Sequence, residues 1–260
     1  MARQQREPQG PPPPPAVQKL RIRYAKRGRL RFSSTRDFQR ALERALRRAQ
    51  LPVAFSAGFH PHPKISYANA AATGTASEAE YVEVSLTERR DPDAVRVALD
   101  EALPRGLDIV TVVEAPPGAL ADRLEASEWL LAFRGLTQPA LADALTGFLA
   151  QERVEVTRML KAGPRTFDTR AAVVTAVATE ADAEPGLAAL VPAGCAILRM
   201  VVRHTTPAVR PDDILTALRA VAGLEPPTPP LVIRLAQGPL QGDSATVADP
   251  LAGAEETVGD

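Results

Sequence analysis

Leu20-Arg21-Ile22-Arg23-Tyr24 is followed ten residues on by Ser34-Thr35-Arg36-Asp37-Phe38-Gln39-Arg40-Ala41-Leu42-Glu43-Arg44-Ala45-Leu46-Arg47-Arg48, and the change of period between them decides the fold. In the first run apolar and basic residues alternate, the pattern of a half-buried strand. In the second, Phe38, Ala41, Leu42, Ala45, Leu46 and Ala49 recur at helical spacing behind a Ser34 N-cap, with Asp37 three residues later. Arg36, Arg40, Arg44, Arg47 and Arg48 fall on another face, so the helix carries a basic stripe. Between the two runs, Leu30 and Phe32 are expected to resume the strand after a turn at Lys26-Arg27-Gly28-Arg29.

Working outward, the first half continues through Val53–Phe55, a turn-rich segment Gly58–Lys64, and strand patterns at Ile65–Ala68 and Glu80–Thr87. A helix opened by Asp91 and Pro92 and a strand Leu107–Val113 close it. Glu114-Ala115-Pro116-Pro117-Gly118 halts regular structure and marks a junction. Beyond it the same order returns: strand Trp129–Phe133, helix Leu136–Ala150, a strand starting at Val154, a stretch Ala171–Ala178, strand Ala196–Val202, helix Pro211–Val221 and strand Leu231–Leu235. Strand–helix–strand–strand–helix–strand read twice predicts an α+β chain of two tandem ferredoxin-like (split βαβ) units with antiparallel sheets. The expected divisions are a disordered proline-rich leader at 1–16, a first domain at 17–115, a second at 119–237, and a disordered acidic tail at 238–260.

The 260 residues, 45% hydrophobic and 24% charged, exclude collagen, coiled coil and wholesale disorder. No apolar run reaches the roughly 20 residues that cross a bilayer, so no membrane partner is expected and the cytoplasm is the expected compartment. One cysteine, Cys195, forms no internal disulfide and supplies neither an iron–sulfur cluster nor a structural zinc site; neither cofactor nor metal is expected. The net charge is zero but unevenly placed: Ala16–Gln50 holds twelve Lys or Arg against two acids, while Gly238–Asp260 holds five acids and no base. A basic head points to an anionic partner, with nucleic acid foremost. Arginine outnumbers lysine 27 to 4, so part of this richness reflects coding composition.

Candidate phosphate-binding residues are Lys26, Arg27 and Arg29 in the turn, Arg36, Arg40, Arg44 and Arg47 on the helix, and Lys64. Gly58-Phe59-His60-Pro61-His62-Pro63-Lys64 is the most unusual stretch and admits three readings. A metal site needs further ligands, and the only other histidine, His204, is far off in sequence. General acid–base work on a phosphodiester makes His62 the catalytic candidate beside Lys64. A rigid, non-catalytic loop is the third reading and the one preferred. Glu78 and Glu80 offer carboxylates to a basic segment or a base amino group, and Asp168 with Arg170 suits an ion-paired turn at least as well as a ligand clamp.

The Leu20–Tyr24 run, Gly28–Phe32, the Asp37–Arg48 helix, Gly58–Ser66 and Glu78–Tyr81 together resemble a radical-SAM-associated family of unknown function. The resemblance runs from about Val17 to Leu235, is most specific at the Gly-Phe-x-Pro-His-Pro-Lys stretch, and is weaker at Asp168-x-Arg170. The family carries asparagine where this chain has His60, so only His62 matches. The resemblance implies association with a cobalamin-binding radical SAM enzyme, not an activity. The layout also looks like RNA-processing endoribonucleases of bacterial immune systems, an analogy of fold alone. The expected function is a non-catalytic adaptor that binds RNA or a ribonucleoprotein for a radical SAM or RNA-processing enzyme. The alternatives are a metal-independent endoribonuclease using His62 and a purely structural protein-interaction module.

Overall fold

The computed structural model describes residues 12–183, 190–242 and 245–252. The chain divides into two compact units: Met1–Thr73 with Glu80–Leu120 and Leu251–Asp260, and Gly74–Ala79 with Ala121–Pro250. The described residues form a mixed α+β structure with four helices and mostly antiparallel sheet. No helix among them is long and apolar enough to cross a membrane.

The first unit contains β1 (Gln18–Lys26), α1 (Thr35–Arg48), β2 (Ile65–Ala68), most of β3 (Ala76–Leu86), α2 (Pro92–Ala102) and β4 (Ile109–Glu114). The strand order is β4-β1-β3-β2. β1 pairs antiparallel with β4 from Leu20↔Glu114 to Tyr24↔Ile109, and β2 pairs antiparallel with β3 from Ile65↔Val84 to Ala68↔Tyr81. Alternation places Leu20, Ile22 and Tyr24 of β1 with Val82, Val84 and Leu86 of β3 on one sheet face, against Phe38, Leu42 and Leu46 of α1 and Val95 and Leu99 of α2. The Tyr24 and Phe38 rings stack with centroids 3.9 Å apart. On the opposite side of β1, Arg21 is fully buried, its Nε 2.9 Å from Glu83 Oε1.

Two expectations for this unit need correction. Gly28–Phe32 is a 3-10 turn and not a resumed strand: Gly28 takes φ +53°, which ends the extended path, and Leu30 N–H donates to Arg27 O at 3.0 Å. Lys26 is not in the turn but ends β1, where it is buried. The segment Val53–Phe55 makes two isolated bridges, Val53↔Leu86 and Phe55↔Pro63.

The second unit contains β5 (Ala126–Phe133), α3 (Gln138–Leu149), β6 (Glu155–Leu160), β7 (Gly163–Asp168), β8 (Val173–Glu180), β9 (Ala196–Arg203), α4 (Pro211–Ala222), β10 (Leu231–Gly238), β11 (Leu240–Gln241) and β12 (Thr246–Val247). Its main strands run β10-β5-β9-β8, each neighbour antiparallel, and Ala76 and Ser77 add a short parallel pairing to Ile233 and Arg234. Trp129, Leu131 and Phe133 of β5 pack with Leu141, Leu145 and Phe148 of α3 and Ile214 and Leu218 of α4. The strand expected from Val154 does not enter this sheet: β6 and β7 form a separate ribbon, Glu155↔Asp168 to Leu160↔Gly163. The Arg158 guanidinium pairs with Asp213 of α4 and lies 5.0 Å above the Phe167 ring, which anchors the ribbon.

The acidic segment is likewise not a featureless tail as far as Ala252. β11 pairs with β12, Ala248 N–H donates to Pro239 O at 2.9 Å, and Leu251 is buried. A Cβ on Gly238 would collide with the Ala248 carbonyl and the Pro250 ring, so glycine permits this close return of the chain. Residues 253–260 and 1–11 lie outside the described residues; 12–16 carry no regular structure.

Candidate nucleic-acid interface

The site builds from α1. Asp37 N–H donates to Ser34 Oγ (3.2 Å) and Ser34 N–H donates to Asp37 Oδ2 (3.1 Å), a capping box that fixes where the helix begins. The Ser34 hydroxyl, which also donates to Asp37 Oδ2 at 2.7 Å, and then the Ser34 N–H, with Arg40 nearby, hold the Asp37 carboxyl below its ordinary value. With Phe38, Leu42, Ala45 and Leu46 buried, Arg36, Arg40, Arg44, Arg47 and Arg48 are left exposed. Arg36, Arg40, Arg44 and Arg48 follow one another at i,i+4, a rise of about 6 Å each. Like charges at that spacing oppose helix formation, by about 0.2–0.5 kcal/mol per pair, so the ladder weakens the element that carries it.

After α1 the chain makes a hairpin. Ser56 N–H donates to His62 O (2.8 Å), His62 N–H to Ser56 Oγ (3.0 Å) and Lys64 N–H to Ala54 O (2.8 Å). The two prolines keep Pro61 and Pro63 extended, and the tip presents Phe59, 60% exposed, with Gly58, His60, Pro61 and His62 also exposed. Lys64 is exposed, Pro63 partly so. Among the described residues no carboxylate or carbonyl orients the His62 ring, and no group of three or more His, Cys, Asp or Glu side chains could hold a metal ion. Between this hairpin and α1 lies a cleft of about 310 Å³, walled by Leu46, Leu51, Pro52, Val53, Phe55 and Pro63 and rimmed by Glu43 and Arg47. Phe55 is 43% exposed.

A second, shallower depression, about 630 Å³, is lined by Arg27, Arg29, Arg105 and Asp108. Arg27 is neutralised there by Asp108 at 2.9 Å, while Arg29 remains exposed. The other candidates are occupied inside the fold. Lys26 donates to the carbonyls of Ala71 (3.3 Å) and Ala72 (3.2 Å), and Glu80, 1% exposed, accepts from Ala71 N–H (2.8 Å). Both therefore bind their own chain, as buried charges must. Glu78 is half-buried. Asp168 accepts from Val154 N–H (3.1 Å) and Arg170 N–H (2.9 Å), while Arg170 donates to Leu149 O and Val173 O, so this pair ties a turn together. Glu43 and Phe55 escaped the sequence reading. Their only signals were a lone acid on an arginine-rich face and an aromatic near two prolines.

Residues 19–211 match the family "Uncharacterized protein conserved in bacteria (DUF2344)". The chain belongs to this family. No curated protein matches it. The matched residues include α1, the 53–64 hairpin and the cleft of this bacterial family member, and extend through the first residue of α4.

Proposed function

We propose that the first unit binds single-stranded RNA and that the chain is a non-catalytic, cytoplasmic adaptor, offering an RNA or ribonucleoprotein to a radical SAM or RNA-processing enzyme on another chain. The observation that carries this reading is the exposed arginine face of α1, whose Arg47 shares a cleft with the exposed Phe55 ring of the 53–64 hairpin. Guanidinium groups neutralise phosphates without regard to sequence, and open aromatic faces stack unpaired bases, the combination single strands require. Of the twelve bases between Ala16 and Gln50, Arg21 and Lys26 are buried, Arg23 is half-buried, Lys19 and Arg27 are paired with Glu83 and Asp108, and Arg31 lies over the Phe32 ring, so the usable charge concentrates on Arg29 and α1. An adaptor reading is preferred to an endoribonuclease because His62 lacks an orienting partner among the described residues. We also read the two units as tandem ferredoxin-like copies; the strand orders β4-β1-β3-β2 and β10-β5-β9-β8 support this, with the β6–β7 ribbon as an insertion in the second.

The test is fluorescence anisotropy of a labelled single-stranded oligoribonucleotide across a salt series. The expected result is a log–log slope of about −0.7 per phosphate contact, with binding weakened about 100-fold by Arg40→Glu combined with Arg44→Glu. Affinity indifferent to both salt and these charges overturns the proposal.

A further inference from the structure

The cleft between α1 and the 53–64 hairpin has walls and a rim of different chemistry. Leu46, Pro52, Val53 and Pro63 make it apolar, and the half-exposed Phe55 ring gives it a flat aromatic surface. Its volume, about 310 Å³, lies at the lower end of ligand pockets and suits one planar group rather than a whole cofactor. At the rim stands Glu43, one of two acids on a helix with five arginines. The other, Asp37, is consumed by the N-cap. Glu43 makes no ion pair among the described residues, although Arg47 lies one turn further along. Its carboxylate is felt by the half-buried Tyr67, whose hydroxyl is pushed up to about 12 by burial and by Glu43.

A carboxylate on an otherwise cationic stripe repels phosphate, so its presence at the mouth of an apolar slot calls for a ligand that brings its own hydrogen-bond donors. Resting on the RNA reading above, we propose that the cleft is a base pocket selective for guanine: Phe55 stacks the base and Glu43 accepts two hydrogen bonds from its Watson–Crick edge. Guanine alone among the four bases presents two adjacent donors there, the ring N1–H and the exocyclic N2 amine, matched to a bidentate carboxylate. Adenine and cytosine set an acceptor beside the donor, and uracil flanks its single N3–H with two carbonyls; each points a lone pair at the carboxylate. The phosphates on either side of the seated base then lie along Arg40, Arg44 and Arg47.

The experiment compares three labelled 12-mers on the full chain: all-uridine, the same with one central guanosine, and the same with inosine in its place. Inosine keeps N1–H and loses the N2 amine. The expected result is that guanosine tightens binding about 10-fold over uridine and that inosine forfeits most of this gain. Glu43→Gln should remove the guanosine preference while all-uridine binding holds or rises, because a negative charge has left the stripe. Equal affinity for the three RNAs on the wild-type chain, or a preference that persists in Glu43→Gln, overturns the base pocket and leaves the arginine interface standing. Failure of all three to bind in a salt-dependent way overturns both.

Discussion

The first helices of the two units occupy the same place in the chain order and bury similar faces, yet they present opposite surfaces. α1 buries Phe38, Leu42, Ala45 and Leu46; α3 buries Leu141, Ala144, Leu145 and Phe148. Outside that face, α1 carries five arginines and two acids, whereas α3 has Asp143 as its only charged residue. The excursions that follow differ in the same sense. After α1 comes a hairpin with exposed rings and Lys64; after α3 comes a ribbon whose exposed Met159 faces solvent while Arg158 is spent on Asp213. The buried face is what the fold requires of a helix in this position, and the exposed face is free to be given a task. Only the first unit has been given a cationic one.

The strongest way to break the comparison is through the hidden ion pairs, since each unit has one. Arg21 has no exposed surface and meets Glu83, which is 10% exposed at its side chain, so Glu83→Ala leaves a buried guanidinium uncompensated and should cost about 3–5 kcal/mol in chemical denaturation. Asp213→Ala should cost less, because Arg158 keeps 19% of its side chain in water and can turn outward with the ribbon. Half-buried Glu114, paired with the exposed Arg89, should change stability by no more than about 0.5 kcal/mol when cut to alanine. An Asp213→Ala loss as large as that of Glu83→Ala would make the ribbon as integral to its unit as the sheet is.

The helix contrast predicts effects of opposite sign. Arg44 has arginines four residues before and after it. Arg44→Gln therefore removes two like-charge contacts and should stabilise the first unit by up to about 1 kcal/mol, raising Tm, while weakening RNA binding several-fold. Thr146→Gln on α3, at an exposed site with no charged neighbour at that spacing, should move neither quantity measurably. A stripe whose loss costs stability would be structural and not a surface held for a ligand.

Local rules account for what was legible. The period change at 20–48 and the Ser34–Asp37 spacing specify β1, α1 and its cap because every contact involved lies within a few residues. The errors share a different scale. Leu30 and Phe32 alternate like a strand, but Gly28 breaks the extended path before the pattern can be used. Lys26 looks like part of a basic turn until Ala71 and Ala72, 45 and 46 residues away in sequence, take its amino group. Glu80 is claimed by Ala71 N–H, and the β6–β7 ribbon is held by Asp213, 55 residues from Arg158. The cleft was invisible for the same reason: Glu43 and Pro63 come from opposite ends of a turn whose closure no periodicity encodes.

The second unit holds a half-buried histidine, whereas His60 and His62 of the first unit are exposed. His204 Nδ1 lies 2.7 Å from Leu124 O, so Nδ1 carries the proton and donates, which leaves Nε2 to accept from the Ser127 hydroxyl at 2.8 Å. Burial pushes the imidazole below 6.5, opposed by the Leu124 bond and aided by the Arg234 charge. The unfolded chain then binds more protons than the folded one below pH 6.5, so His204 contributes its full stability above that value and loses it as pH falls towards the folded-state value. The stability of the wild-type chain should drop over that window, and the drop should shrink in His204→Gln. A wild-type profile parallel to that of the variant would contradict this.

The smallest effect is spectroscopic and returns to the first unit. Tyr67 lies half-buried beside Phe38, their rings edge-on with centroids 6.1 Å apart, and its hydroxyl is pushed up to about 12, first by burial and then by the Glu43 carboxylate. Phenolate absorbance should therefore show Tyr67 titrating well above 10 while the chain stays folded. Glu43→Gln removes the second cause and keeps the first, so the titration should move down without reaching 10. A tyrosine that ignores Glu43→Gln would show that the carboxylate points away from the β2 side of α1, and the geometry by which the cleft sets the first unit apart from the second would then have to be redrawn.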